Sequence, residues 1–195
     1  MAKDQGLDII ELKSLKGHFL AASPAMNDPR FIESLILIAH HDETGALGFI
    51  INQPLANLSF HELLDQIELD PPKSAMEQPV LNGGPVRSSN GFVLYQGSLS
   101  LRDEFSITDQ IFFSRSLDIL KLIIKGQGPQ NYLICLGRAE WSPGQLEAEL
   151  KENIWLPSPA SAGQIFSGDT PNLWSEVLRA QGISTANFTT TAGHA

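Results

Sequence analysis

Short apolar segments alternate with turn-forming residues along most of the chain. They are rich in Ile, Leu, Phe and Val, and they are too short and too continuous for surface helices, so they predict buried strands. The turn at 43–45 joins two of them into a hairpin that stops at Pro54. The predicted strands are 18–23, 31–41, 46–52, 80–82, 92–95, 111–113, 132–136 and 154–156, with Ile107 at a strand edge.

Capping residues and helical spacing predict two helices in the middle of the chain. Ser59 and Glu62 form a capping box, which predicts a helix over 60–67. A second helix starts at a capping serine, either 114 or 116, and reaches about Lys125, after which Gly126 can supply a left-handed cap. Its predicted inner face consists of Leu117, Leu120, Ile123 and Ile124.

Two further helices are predicted nearer the C-terminus. Ser142 and Pro143 suit the cap and the first helical position of a helix that reaches about 153. The last helix starts at 170–171 and ends at Gly182. Its predicted inner face consists of Leu173, Trp174, Val177 and Leu178.

The order of these elements bears on the fold class. The strands come in hairpin-like groups rather than in strict alternation with helices, which favours an α+β fold over a doubly wound sheet. No repeat or linker divides the chain, and the Pro-rich loop at 68–79 separates no independent patterns. We therefore expect one domain over 1–195, with flexible tails at 1–13 and 186–195.

Composition excludes several classes of protein. The formal net charge is −9, every quarter of the chain is negative, and no Lys/Arg block exists. Because duplex DNA requires cations to neutralise its phosphates, direct nucleic-acid binding is disfavoured. The single cysteine forbids an internal disulfide, and no apolar run approaches the roughly 20 residues of a membrane span. We expect a cytoplasmic protein that needs no membrane.

Histidine, cysteine and tryptophan offer little chemistry at recognisable spacing. His40 and His41 lie beside acidic residues, but neighbours on a strand point to opposite faces, so structural or surface roles are favoured over a metal site. Cys135 lies in an apolar strand and is expected to behave as a small buried hydrophobe. Trp141 and Trp155 flank the third helix and are expected to be core anchors. No metal or cofactor is expected.

The glycine pair at 83–84 is the most suggestive short segment. Consecutive glycines can present backbone N–H groups to an anion, but a tight turn explains them equally well. Arg115 lies between two serines that could hold a phosphate or simply cap a helix. The candidate ligand-binding residues are Asn82, Gly83, Gly84, Arg115 and Arg138.

Several segments, taken in order, resemble one family. They cover the chain from about residue 14 to its end. They are KGHFL at 16–20, DPRF at 28–31, GALGFIINQP at 45–54, NGGPV at 82–86, GFVL at 91–94, SRSLDIL at 114–120, GQLEAEL at 144–150, NIWL at 153–156 and AGHA at 192–195. On these segments the chain is identified as a member of the YqgE/AlgH family of bacterial proteins.

This resemblance implies an α+β fold whose bifurcated, largely antiparallel sheet folds into a pseudo-barrel with flanking helices. It also implies a bacterial cytosolic protein, and some members of the family are called transcriptional regulators. No catalytic residue is carried over. The chain departs from the family at 136–141, where Arg138 and Glu140 replace an aromatic and a small residue, so a pocket lined by this segment would be more polar.

These observations leave competing functions open. The leading hypothesis is a noncatalytic binding or regulatory module that acts through a protein partner or a small ligand and affects transcription indirectly. The alternative is a small-anion-binding protein or an enzyme whose site lies near the turn at 83–85 and gathers Gly83, Gly84, Arg115 and Arg138. Direct DNA binding is the least favoured.

Overall fold

Ten strands and five α-helices form within residues 13–70, 78–168 and 170–184, the part of the chain that the computed structural model describes. The strands are β1 (His18–Ala22), β2 (Leu35–Asp42), β3 (Gly45–Ile50), β4 (Pro54–Ser59), β5 (Pro79–Asn82), β6 (Val86–Gln96), β7 (Glu104–Ser106), β8 (Ile111–Ser114), β9 (Tyr132–Trp141) and β10 (Trp155–Pro159). The helices are α1 (Phe60–Gln66), α2 (Leu117–Ile124), α3 (Gln145–Lys151), α4 (Ala162–Ile165) and α5 (Leu173–Ala180).

The sheet branches at β9. Its main path runs β10-β1-β2-β3-β9-β6-β8-β7, with antiparallel neighbours throughout. The C-terminal part of β9 pairs with β3, whereas its N-terminal part pairs in parallel with β5, which in turn pairs with β4. The sheet is mostly antiparallel and curls into a half-barrel, which confirms the predicted α+β class and its bifurcated sheet.

Both faces of the first strands are buried, which explains their continuous apolar runs. Leu35 and Leu37 point into one apolar cluster, which also contains α5, whereas Ile36 and Ile38 point into a second cluster beside α3. A third cluster packs α1 and α2 against β6 and β9. Alternate side chains on one strand therefore pack into different hydrophobic clusters, as expected for a strand that is buried on both faces.

Most predicted helix ends are confirmed. Ser59 and Glu62 form the capping box of α1, and the Ser116 hydroxyl accepts the Asp118 N–H at the start of α2. Two helix predictions are wrong in detail. Residue Gly144, with φ +76°, precedes α3 where a serine cap was predicted, and Leu117 is 51% exposed rather than on the inner face of α2.

Several strand boundaries differ from the prediction, and β6 begins at Val86, six residues before its predicted start at Phe92. β2 begins at Leu35 because the preceding residues form turns. Pro54 starts β4 instead of ending a hairpin, and β9 continues five residues beyond its predicted end at Leu136. Pro157 and Pro159 lie inside β10, where they are tolerated because β10 is an edge strand.

The C-terminal helix lies where it was predicted. A 3-10 turn at Thr170–Asn172 leads into α5, and Gly182 follows it with φ +77°. The short helix α4 was not predicted. The predicted tail at 186–195, all but the last residue of the one at 1–13, and residues 71–77 of the Pro-rich loop lie outside the described residues.

No described helix combines the length and the apolar character needed to cross a membrane.

Candidate functional site

The glycine turn between β5 and β6 is held inside the sheet. Gly83 donates its N–H to the Leu136 carbonyl at 2.7 Å and accepts the Ile50 N–H at 2.9 Å. The Gly84 N–H donates to the Asn82 Oδ1 at 3.3 Å. Because both glycine N–H groups are engaged within the protein, the turn does not form an open cradle for an anion.

Close passage of β9 explains why glycines occupy this turn. A Cβ at Gly83 would lie 2.4 Å from the Gly137 carbonyl oxygen. One at Gly84, whose φ is +142°, would lie 2.3 Å from the carbonyl carbon of Arg138. Gly84 thus has the positive φ that a tight turn predicts, whereas Gly83 is required by space.

A cleft of about 320 Å³ opens beside this turn. Pro85 and Val86 form one side, and the remaining walls come from the loop 26–31, the end of β9, α3 and the start of β10. We call it the aromatic cleft because Phe31, Trp141 and Trp155 contribute to its lining. Concave sites with apolar walls and a few fixed polar groups are the usual form of a ligand site.

Glu149 holds the two tryptophans of the aromatic cleft in place. Its Oε2 accepts the indole N–H of Trp141 at 2.8 Å and that of Trp155 at 2.7 Å. Its Oε1 accepts the side-chain amide of Gln145 at 2.9 Å. The rings meet edge to face, with centroids 5.8 Å apart, and both are buried. The tryptophans are core anchors, as predicted, and they also line the cleft.

An arginine and an aspartate lie at the mouth of the aromatic cleft. Arg30 Nε donates to Asp28 Oδ1 at 3.0 Å, and its Nη2 donates to Asp28 Oδ2 at 2.6 Å. These hydrogen bonds hold the pKa of the Asp28 carboxyl below its ordinary value. The guanidinium lies 5.6 Å from the ring centroid of Phe31, which packs edge-on against Trp155.

The segment that departs from the family adds a charged pair beside the cleft. Arg138 Nε donates to Glu140 Oε1 at 2.6 Å, and the guanidinium lies 5.8 Å from the ring centroid of Phe92. Glu140 lines the aromatic cleft, whereas Arg138 lies beneath the glycine turn. Glu140 therefore places a carboxylate in the wall of the aromatic cleft.

Four of the five candidate residues therefore meet at one place. Asn82, Gly83 and Gly84 cross β9 next to Arg138, beside the aromatic cleft. Arg115 lies apart, because it follows β8 and β6 separates that strand from β9. Arg115 lines a second cleft, which contains none of the other four candidates.

The two adjacent histidines diverge, as predicted for neighbours on a strand. The His40 side chain is 54% exposed and pairs with Asp42 at 3.0 Å. The His41 side chain is 7% exposed; its Nδ1 accepts the Leu15 N–H at 2.9 Å, and its Nε2 contacts Glu147 Oε1 at 2.8 Å. Over the described ranges, no three His, Cys, Asp or Glu side chains are grouped to hold a metal ion.

Cys135 is fully buried in β9, as predicted. Its thiol lies among apolar side chains and is 4.0 Å from the Ile50 carbonyl oxygen. Burial raises the pKa of this thiol above its ordinary value, so the reactive thiolate is disfavoured.

Sequence reasoning missed the residues that give the aromatic cleft its shape. Glu149 was predicted only to lie within a helix, yet it lies four residues after Gln145 and therefore on the same helix face. Asp28 was predicted to lie in a turn and Phe31 to start a strand, and Arg30 had no predicted role. The only signal was that these residues belong to segments that carry the family resemblance.

Comparison with known proteins yields relatives that match nearly the whole chain. A family model described as AlgH-like matches residues 19–186. A UPF0301 protein of Aliivibrio fischeri (strain MJ11) is 42% identical over 187 residues, which cover 93% of this chain and 100% of the relative. A UPF0301 protein of Cereibacter sphaeroides (strain ATCC 17029) is 39% identical over 182 residues, which cover 93% and 99%.

Two solved structures are similar to this fold. The solution structure of the AlgH protein from Pseudomonas aeruginosa matches with a TM-score of 0.76 and 36% identity, and the match covers 100% of both chains. The crystal structure of protein DIP2367 from Corynebacterium diphtheriae matches with a TM-score of 0.67 over 89% of this chain and 91% of that one. At 20% identity, the second likeness concerns the fold alone.

Proposed function

The chain belongs to the AlgH-like family, and from this membership and the geometry of the aromatic cleft we propose that it is a regulatory binding module of the bacterial cytosol. A small ligand or a segment of a partner protein occupies the aromatic cleft. The occupied protein then affects transcription indirectly, through other proteins.

The observation that carries this proposal is that the carboxylates lining the aromatic cleft are all held by donors of the protein itself. Glu149 accepts three hydrogen bonds. Asp28 forms an ion pair with Arg30, and Glu140 forms one with Arg138. A general base needs a free lone pair directed at its substrate. Carboxylates tied in this way fix the shape of a recognition surface, which supports binding rather than proton transfer.

The charge of the chain supports an indirect effect on transcription. Phosphate neutralisation by Lys and Arg supplies most of the nonspecific affinity for DNA, and this chain carries a net charge of −9. Arg30, which lines the aromatic cleft, and Arg138, which pairs with the lining residue Glu140, are already engaged by carboxylates. We expect no mobility shift of duplex DNA at low salt, where phosphate attraction is strongest; a shift there would contradict indirect action.

Binding in the aromatic cleft can be followed by its own tryptophans. The chain has three tryptophans, and Trp174 lies elsewhere, with its indole N–H on the Ala22 carbonyl. In a Trp174→Phe variant, the fluorescence therefore reports only on Trp141 and Trp155. Fractions of a bacterial small-molecule extract and of its proteins should include one that changes this emission in a saturable way.

A matched pair of variants tests whether the aromatic cleft carries the biological role. Phe31 lines the cleft, whereas its neighbour Ile32 is 48% exposed and does not line it. In a strain that lacks the gene, the native protein and Ile32→Ala should restore the transcript profile, and Phe31→Ala should not. Full restoration by a folded Phe31→Ala protein would refute the proposal.

A further inference from the structure

A second cleft, of about 210 Å³, lies between α1 and α2 over strands β6 and β9. It shares no lining residue with the aromatic cleft. We infer that this apolar cleft binds the chain of a small aliphatic carboxylic acid, and that Arg115 at its edge pairs with the carboxylate.

The walls of the second cleft are mostly hydrocarbon. Two helices and three strands contribute to them, and the polar contributions come from serines and from Arg115. The principal apolar lining residues are Leu63, Val93, Leu117, Leu120, Ile134 and Leu136. An apolar lining with a few polar groups suits a ligand that is itself mostly apolar with one polar end.

Leu117 extends this apolar surface to the solvent. It is 51% exposed, although Leu120 and Ile123 on the same helix are buried in the core. Large apolar side chains that line a cleft and remain exposed mark binding surfaces. The exposed leucine therefore lies where the alkyl chain of a ligand would cover it.

The charge at the second cleft favours an anion. Arg115 is the one charged side chain among the lining residues, and it has no ion pair or hydrogen bond within the described part of the chain. Arg30 and Arg138, by contrast, are both neutralised by carboxylates. The nearest acid along the chain, Asp118, is outside the lining and contacts Lys121 at 3.2 Å.

The size of the second cleft limits the ligand. Its volume lies below the roughly 300–1,000 Å³ of clefts that hold drug-sized molecules. A short, unbranched acid fits this size, so octanoate is the probe of choice. Octanol and octylammonium have the same alkyl chain with a neutral and a positive head, and hexanoate has the same head on a shorter chain.

Calorimetric titration of the full-length protein with these four probes tests the inference. We expect octanoate to bind up to about fivefold more tightly than octanol, because an ion pair with an exposed side chain such as Arg115 contributes only this much. Octylammonium should bind more weakly still. Hexanoate should bind roughly fifteenfold more weakly than octanoate, because it lacks two methylenes and each contributes about fourfold.

Three variants locate the site. Arg115→Gln should reduce the affinity for octanoate to that for octanol, and Leu117→Ala should weaken all the probes several-fold. Arg179→Gln removes the same charge from an exposed position on α5 and should leave the affinities unchanged. Equal affinity for octanoate and octanol, an unchanged octanoate affinity in Arg115→Gln, or no binding of octanoate would overturn the inference. These outcomes would leave the role of the aromatic cleft untouched, because the two clefts share no residue.

Discussion

The indole nitrogens of Trp141 and Trp155 donate to one and the same oxygen, Oε2 of Glu149, at 2.8 and 2.7 Å. Trp141 ends β9 and Trp155 starts β10, two strands that are separated in the sheet by β1, β2 and β3. One carboxylate on α3 therefore ties together two distant strand ends and sets the shape of the aromatic cleft.

Removing this carboxylate should cost stability. Glu149→Ala leaves two buried indole N–H groups without an acceptor, at a cost of about 1–3 kcal/mol each where water does not replace it. We expect the free energy of unfolding, measured with urea, to fall by about 2–3 kcal/mol, and the tryptophan emission to shift to longer wavelength. Glu152→Ala, at the exposed end of the same helix, should change stability by less than about 0.5 kcal/mol. Equal losses in the two variants would contradict the tie.

The Asp28–Arg30 pair should make stability depend on acid pH. Hydrogen bonds from Arg30 lower the pKa of Asp28, so folding gains stability from this pair above the unfolded pKa of about 3.9 and loses it as the pH falls through the lower folded value. Asp28→Asn should therefore destabilise the protein above about pH 5, by no more than about 1 kcal/mol because the pair lies at the surface.

A second substitution controls this pH prediction. In an Arg30→Gln background, the pH dependence of the Asp28→Asn effect should shrink without vanishing, because the side-chain donors are gone while the backbone N–H of residue 30 still donates to Asp28 Oδ1 at 3.0 Å. Urea unfolding at about pH 2.5 and pH 7 measures both differences. The same pH dependence in the two backgrounds would assign the shift to another neighbour.

His41 should act as a latch, by which we mean that its ring holds the segment preceding β1 against the sheet. Leu15 donates its N–H to Nδ1, so the ring proton lies on Nε2, toward Glu147. His41→Ala removes the acceptor and should lower the free energy of unfolding by about 1–2 kcal/mol. Amide hydrogen exchange at Leu15 should accelerate, whereas that at Gly17, whose N–H donates to the Ile38 carbonyl, should change less.

The neighbouring histidine is the matched control for the latch. His40 is exposed and pairs only with Asp42 among the described residues, so His40→Ala should stay within about 0.5 kcal/mol of the native protein. Faster exchange at Leu15 in this variant would refute a specific role for His41.

Because the glycine turn passes close to β9, we expect Gly→Ala substitutions at two positions to differ strongly in their effect on stability. Gly83→Ala places a methyl group 2.4 Å from the Gly137 carbonyl oxygen and should cost at least about 3 kcal/mol or prevent folding. Gly163→Ala, in α4 with open space around its Cα, should be neutral or stabilise by up to about 1 kcal/mol. Thermal unfolding checks both, and a mild effect at Gly83 would show that β9 can move away.

Local signals predicted much of the fold. Strands buried on both faces leave continuous apolar runs, as at 35–39, and capping residues mark helices regardless of what packs around them, as Ser59 and Ser116 do. The extension of β9 was missed because Gly137, with φ +75°, interrupts the apolar pattern where the strand changes partners. The parallel pairing of β5 with β9 joins residues about fifty positions apart and has no local signal.

The candidate site was harder to predict because it is assembled from distant segments. The turn at 83–84 was identified from the sequence. Its glycines are required because β9 passes close by, and they do not form an open anion site. The aromatic cleft draws on the loop at 26–31 and on α3, which only the folded sheet brings together. Arg115 lies between two serines at a helix start, an arrangement that many phosphate sites also have. The structure nevertheless places it at a cleft lined mainly by apolar side chains.

The prolines of β10 also bear on how the protein behaves when it is concentrated. An edge strand normally offers a row of unpaired N–H groups on which a foreign strand can grow, the first step of fibre formation. Pro157 and Pro159 remove two donors from a five-residue edge, and β7 at the opposite end of the main path is only three residues long. Replacing both prolines with valine would restore those donors in a segment of high strand propensity. We expect the double substitution to make this edge of the sheet a site at which aggregation starts.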